Sequence, residues 1–426
     1  MWKLVSILLL GVFLAGAEVR TLTLHETVEL ALKQNPDLAL ARLDERRAHE
    51  AVRIARDPFV PAVVAGSGLA YTNGFPMSIE GSAPSVFQAK AVQSLYNRPQ
   101  TYLLAQAREN SRGAAMDSQT KRQEVALRAA LLYLDVERCA RMAEVAGRQV
   151  ASLEKVSEAV QARVKEGREL PIESKRAALN LARARQRQEA LEGDLTLGAD
   201  SLAVVLGLTA GDRIMPASEE RAELTLPISE EVAVGLALRE NAELRRLRSG
   251  LLAKEFGVKA ARAERLPRVD LVAQYGLLAR FNNYDAYFRQ FQRNNGEVGV
   301  SVQIPLVIGP GADARAAQAS AEMAQLKIQI NGVRNRISLE ARRGFQDVRR
   351  AETACEVARL DFDVAHEQVS ILMAQMTEGR AGLRQVEEGR FAENEKWLAY
   401  QDAHYQLERA RLTLLKQSGD LLAALR

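Results

Sequence analysis

Two periods of hydrophobicity run along this chain, and their order predicts its elements. After Pro267, Val269, Leu271, Ala273, Tyr275 and Leu277 alternate with Arg268, Asp270, Gln274 and Gly276. Further on, Val298, Val300, Val302, Ile304 and Leu306 alternate with Glu297, Gly299, Ser301 and Gln303. Period two means strands with one apolar and one polar face. That pattern fits a strand between lipid and a wet lumen, and equally a half-buried strand of a soluble sheet. An earlier pair follows the same plan less cleanly. Val63, Ala65, Ser67, Leu69 and Tyr71 follow Pro61, and the return from Val86 to Tyr96 contains Lys90 and Gln93. Strands are therefore predicted at about 61–71, 86–96, 267–278 and 297–306, each pair around a polar loop. Phe281, Tyr284, Tyr287, Phe288 and Phe291 in the second loop suit an aromatic girdle or a local loop cluster.

Elsewhere the period is 3.5. One seam reads Val125, Ala129, Leu132, Val136, Cys139, Ala143, Ala146, Val150, Leu153, Ser157, Val160, Val164. A second reads Ile330, Val333, Ile337, Ala341, Gly344, Val348, Ala351, Cys355, Ala358, Phe362, Ala365, Val369, Leu372, Met376. A third returns through Ala403, Leu407, Ala410, Leu414, Gln417, Leu421 and Ala424. Such spacing predicts helices packed as coiled coils. With no proline after Pro310, a helix from Ala312 to about Thr377 would be ~100 Å long.

The chain also repeats itself. Val28-Glu-Leu-Ala-Leu-Lys-Gln-Asn-Pro-Asp-Leu38 recurs as Val234-Gly-Leu-Ala-Leu-Arg-Glu-Asn-Ala-Glu-Leu244, an offset of 206 that also relates Pro61 to Pro267. Glu166-Gly167-Arg168 recurs as Glu378-Gly379-Arg380 at an offset of 212. Residues 18–225 and 226–426 thus read as two copies of one unit: an amphipathic helix of roughly 30 residues, strand, loop, strand, long helix, turn, long helix. Thr23 and Glu26 form a candidate capping box for the first helix, and Ser229 with Glu230 and Glu231 suits the start of its counterpart.

Composition narrows the function. A basic start, an apolar run from Leu4 to Gly16 and Ala15-Gly16-Ala17 read as a signal peptide over 1–17. No other stretch is apolar enough for a membrane helix, so a mature chain that crosses a membrane must do so as a β-barrel. The 58 basic and 54 acidic residues are well mixed, so no nucleic-acid face is expected. His25, His49, His366 and His404 lack metal-ligand spacing, and no phosphate loop or nucleophile constellation is present. An enzyme, a cofactor and a resident metal are therefore not expected. Cys139 and Cys355 could pair or stay free on their seams. Four lipid-facing strands cannot close a barrel with an interior, which needs roughly eight or more. A membrane reading therefore demands several chains, while a soluble periplasmic coiled-coil scaffold or adaptor would not.

At this point a resemblance becomes specific. Leu30-Ala-Leu-x-x-Asn-Pro-x-Leu38, Arg265-Leu-Pro-Arg-Val-Asp-Leu271 and Val300-Ser-Val-Gln-Ile-Pro-Leu306 resemble elements of the TolC family of outer-membrane efflux proteins. The likeness spans the mature chain, although Leu306-Val-Ile-Gly-Pro310 departs from the family's usual turn. It implies a mostly α fold with a small β part: a long coiled-coil α-helical barrel plus four strands per chain that contribute to a shared transmembrane β-barrel. It implies a homotrimer in the outer membrane that extends into the periplasm and works with a periplasmic adaptor and an inner-membrane pump as an exit duct. It implies helix-turn tips that meet the adaptor at Gly167, Arg168, Leu170 and Pro171 and at Gly379, Arg380, Gly382 and Leu383. Glu388 matches an acidic position that can narrow the family's entrance, and Gln385 departs at the other.

Overall fold

The structure, a computed structural model, describes residues 19–68, 85–208, 212–217, 221, 224–279, 289, 292–306 and 309–425, without the Leu383 side chain. The signal peptide and the aromatic loop residues 281–288 and 291 lie outside the described residues.

The chain opens with strand β1 (Val19–Leu22), helices α1 (Leu24–Gln34) and α2 (Pro36–Arg56), and strands β2 (Ala62–Gly68) and β3 (Ser85–Asn97). Helices α3 (Arg98–Lys165) and α4 (Pro171–Leu206) and strand β4 (Arg213–Pro216) follow. The order then recurs: α5 (Glu230–Glu240), α6 (Ala242–Ala263), β5 (Arg268–Leu278), β6 (Asn294–Gln303), α7 (Gly311–Thr377), α8 (Leu383–Ser418) and the short α9 (Leu421–Ala424). These elements form two compact units, one of residues 41–118 and 242–334, the other of the remainder. Both α3 and α7 contribute a stretch to each.

The predicted 30-residue opening helix is two helices in each half, and the motif itself explains the break. Asn35 caps α1 with an extended ψ, and its buried carboxamide accepts from Asp37 N at 2.9 Å and Leu38 N at 3.2 Å, starting α2. Its Nδ2 donates to the Val205 carbonyl at 2.7 Å, tying the break to the end of α4. The Thr23–Glu26 capping box is present, and Ser229 caps α5 by accepting from Val232 N.

Small residues set the packing of the helical unit. Ala31, Ala126, Ala129, Ala130 and Val136 are wholly buried with Tyr133, Leu202, Leu206, Ile214 and Leu421 in one cluster. The seams are in register: Val125, Ala129, Val136, Cys139, Ala146, Val150, Leu153 and Ser157 on α3, and Val333, Ile337, Ala341 and Val348 on α7, are all buried. Cys139 and Cys355 are both free thiols, and burial pushes each above the ordinary thiol range. A parallel pairing of β1 with β4, which periodicity did not signal, seats Ile214 in this core.

All four long helices end the same way. Gly167, Gly207, Gly379 and Gly419 have φ between 71° and 89°. The residue after each glycine donates back to the carbonyl five positions earlier, as Arg168 does to Arg163 and Arg380 to Gln375. This is the left-handed terminus that glycine adopts without a Cβ penalty.

Candidate functional site

In the other unit the four strands form one antiparallel sheet ordered β2-β3-β5-β6. Each predicted pair is a hairpin, and β3 joins the two hairpins by pairing with β5 from Ser85↔Leu278 to Asn97↔Arg268. Directly opposed residues share a face, so the register assigns both faces. Val63, Ala65, Phe87, Ala89, Ala91, Tyr96, Val269, Leu271, Ala273, Tyr275, Leu277, Val298, Val300 and Val302 lie on one side, with Gln93 and Asn294 as polar exceptions. Lys90, Ser94, Asp270, Gln274, Glu297, Ser301 and Gln303 lie on the other, where Ala62, Val64, Val92, Val272 and Leu278 are apolar exceptions.

Among the described residues, much of the apolar side is left exposed. Val298 is 80% exposed and Val63 70%. Among the described residues the sheet also has two free edges, since β2 and β6 each pair on one side only. A long edge beside an exposed apolar face is a template for further strands.

Two aromatic levels bound the apolar face. Phe87 and Tyr275 stand together near the loop end with ring centroids 6.4 Å apart, and Tyr96 stands at the helix end. Their partners on β5, Leu277 and Val269, are eight residues apart, about 27 Å along a strand. At a tilt of about 40° that becomes a height of about 20 Å, close to the ~25 Å apolar band between the aromatic girdles of a membrane barrel.

The tips lie in the helical unit. Between α3 and α4, Gly167, Arg168, Leu170 and Pro171 are all exposed. Leu170 is 67% exposed. It adopts an extended N-cap conformation that leaves Pro171 to open α4, where a missing N–H costs nothing. Between α7 and α8, Gly379, Arg380 and Gly382 are exposed, and Leu383 is the first residue of α8. Arg168 pairs with Glu166 and Arg380 with Glu378, so the repeated Glu-Gly-Arg makes the same local ion pair at both tips.

The two residues expected near the entrance differ in environment. The Gln385 Oε1 accepts from Gly382 N at 3.0 Å, which turns its carboxamide back onto the start of α8. Glu388 stays exposed and accepts from Arg384 Nε at 2.9 Å, one turn earlier. That bond is the main cause holding the Arg384 guanidinium above its ordinary pKa. Glu387 is more buried and lies 3.9 Å from Arg390. A cavity of about 1260 Å³ adjoins these residues, with Leu153, Leu170, Glu173, Arg183, Glu388 and Phe391 among its walls.

Among the described residues no helix is long and apolar enough to cross a membrane, and no cluster of metal-binding side chains occurs.

Comparison with known proteins agrees with this geometry. Residues 27–208 match the family model described as outer membrane efflux protein. The outer membrane efflux protein BepC of Brucella suis is 23% identical over 333 residues, covering 78% of this chain and 71% of that protein. Among solved structures, a membrane protein from Pseudomonas aeruginosa superposes with a TM-score of 0.77 at 17% identity, covering 93% of this chain and 92% of its own. The Campylobacter jejuni CmeC outer membrane channel gives 0.77 at 14% identity, covering 93% and 86%. At such identities the structural likeness concerns the fold.

Proposed function

We propose that this chain is a member of the outer membrane efflux protein family, whose model matches residues 27–208, and that three copies form the exit duct of a tripartite efflux or type I secretion system in the outer membrane, extending into the periplasm. The duct is a passive conduit, with energy supplied by an inner-membrane pump.

The open four-stranded sheet carries this reading. Backbone edges left unpaired in hydrocarbon cost several kcal/mol per group, so the sheet must close on itself or on other copies. Four strands are too few for a barrel with an interior. Three copies supply twelve, with apolar faces toward lipid and Lys90, Asp270, Gln274 and Glu297 toward the lumen. The helices support the same assembly. Val357, Leu360, Val364 and Ile371 on α7 form a heptad stripe that one chain leaves exposed, a face suited to a neighbouring copy's helix. A soluble periplasmic scaffold would have no use for the open apolar sheet.

Within this reading, the tips at Gly167, Arg168, Leu170 and Pro171 and at Gly379, Arg380, Gly382 and Leu383 are the surfaces offered to the periplasmic adaptor. Glu388 is the candidate constriction carboxylate, restrained by Arg384, while Gln385 serves the helix start.

Fractionation tests the proposal. The full-length chain should enter the outer-membrane fraction and require detergent for extraction. It should run as a particle of three chain masses that heat dissociates. A soluble monomer or dimer in the periplasm would refute it. Cysteines placed at Leu170 and Gly382 should crosslink to the adaptor.

A further inference from the structure

We infer that Arg98, held over Tyr96, binds the phosphate of an anionic phospholipid at the helix-side rim of the sheet. The inference rests on the proposed membrane barrel and adds a ligand site to it.

The site is built by a bulge. Along β3, Gln88, Lys90, Val92 and Ser94 lie on the polar face, and unbroken alternation would put Tyr96 there as well. The register instead slips between Ser94↔Asp270 and Tyr96↔Val269, leaving Leu95 as the extra residue. A bulge re-aims the side chain that follows it, and here it turns Tyr96 onto the apolar face. Arg98 then sits with its guanidinium carbon 5.7 Å from the Tyr96 ring centre. Tyr102, one helical turn beyond Arg98 on α3, is also close enough to act on its charge.

The neighbouring cations are differently employed. Arg265 pairs with Asp313, and Arg315 donates to Glu264 at 2.6 Å. Both link the entry to β5 with the start of α7. Arg98 is exposed and has no carboxylate within ion-pair range among the described residues. Leu95 and Leu103 beside it are also exposed. A guanidinium held over an interfacial tyrosine and hydrogen-bonded to it, next to bare apolar surface, fits a headgroup phosphate whose acyl chains run along the face above. Arg268, paired with Asn97 on the polar face of the same rim, faces away from that lipid.

The test uses the full-length protein extracted in detergent and exposed to phosphatidylglycerol. Lipid retained per trimer is counted by native mass spectrometry. Wild type should retain about fivefold more than Arg98→Gln, on the scale of one interfacial cation. Arg98→Lys should keep most of the retention, and Arg268→Gln should equal wild type. Glycerophosphoglycerol, which has the headgroup without acyl chains, should not compete at equal concentration. Equal retention by wild type and Arg98→Gln overturns the site. Equal loss in Arg268→Gln assigns the effect to general rim charge and also overturns it, and full competition by the free headgroup overturns the lipid assignment. A chain that is water-soluble without detergent fails at the earlier step and removes the barrel reading itself.

Discussion

Alanine at Gly207 should destabilise the protein considerably more than alanine at Gly167, although the two glycines share a backbone conformation. Their φ angles are 71° and 72°. A non-glycine residue in that region costs about 1–2 kcal/mol, so Gly167→Ala should cost about that and little else, since a Cβ there meets nothing within 4 Å. At Gly207 the new Cβ would stand 2.5 Å from the Gln34 carbonyl oxygen, at the last residue of α1. Backbone on both sides must move, and overpacking of that kind adds about 1–3 kcal/mol. The expected totals are therefore about 1–2 kcal/mol at Gly167 and about 2–5 kcal/mol at Gly207. Asparagine separates the two causes, because it tolerates the left-handed region but still carries a Cβ. Gly167→Asn should recover much of the loss, and Gly207→Asn little. The assay is the apparent melting midpoint of the purified chain in one detergent at one scan rate, without partner proteins. A Gly167→Ala loss as large as that of Gly207→Ala, or equal recovery by asparagine at both sites, would refute the reasoning. The second repeat offers an independent trial, since Gly379 is open and a Cβ at Gly419 would stand 2.8 Å from Glu240 Cβ.

Three further outcomes follow from the same geometry. Asn35→Ala removes three hydrogen bonds at a buried helix break and should cost about 2–4 kcal/mol. Asn35→Asp should also destabilise, because it sets a carboxylate against the Val205 carbonyl; thermal unfolding reads both. Gly344→Ala would overlap the buried Gln417 carboxamide oxygen, so it should destabilise strongly alone and only weakly in a Gln417→Ala background, a coupling that a double-mutant cycle measures. Hydrogen bonds from the Thr23 backbone and then its side chain hold the Glu26 carboxyl below its ordinary pKa of 4.5. Its capping contribution should therefore be present above that value and fade as pH falls through the lower folded one, so wild type and Glu26→Gln should converge in stability on acidification.

Legibility in the sequence followed physical range. Periodicity is local, so it located four strands, the long helices and their seams, down to individual positions such as Ala129 and Ala341. Repetition of Glu-Gly-Arg located both helix turns, because a left-handed glycine terminus is a one-turn property. Asn35 was visible as part of a motif, but its effect was not: whether a helix continues or breaks there depends on the Val205 carbonyl, 170 residues away. The β1–β4 pair was missed for the same reason, since four residues carry too little pattern to identify a strand whose partner is remote.

The candidate site divides in the same way. Alternation alone marked a polar side and an apolar side on β5 and β6, and did so less cleanly on β2 and β3. Strand order, the two free edges and the joining of the hairpins through β3 and β5 were decided only by tertiary pairing, because hydrogen bonding between strands leaves no local period. The bulge at Leu95 is the sharpest case. Sequence parity assigns Tyr96 to the polar face, and only the register against Asp270 and Val269 turns it onto the apolar face, because an extra residue in one strand can be seen only against its partner.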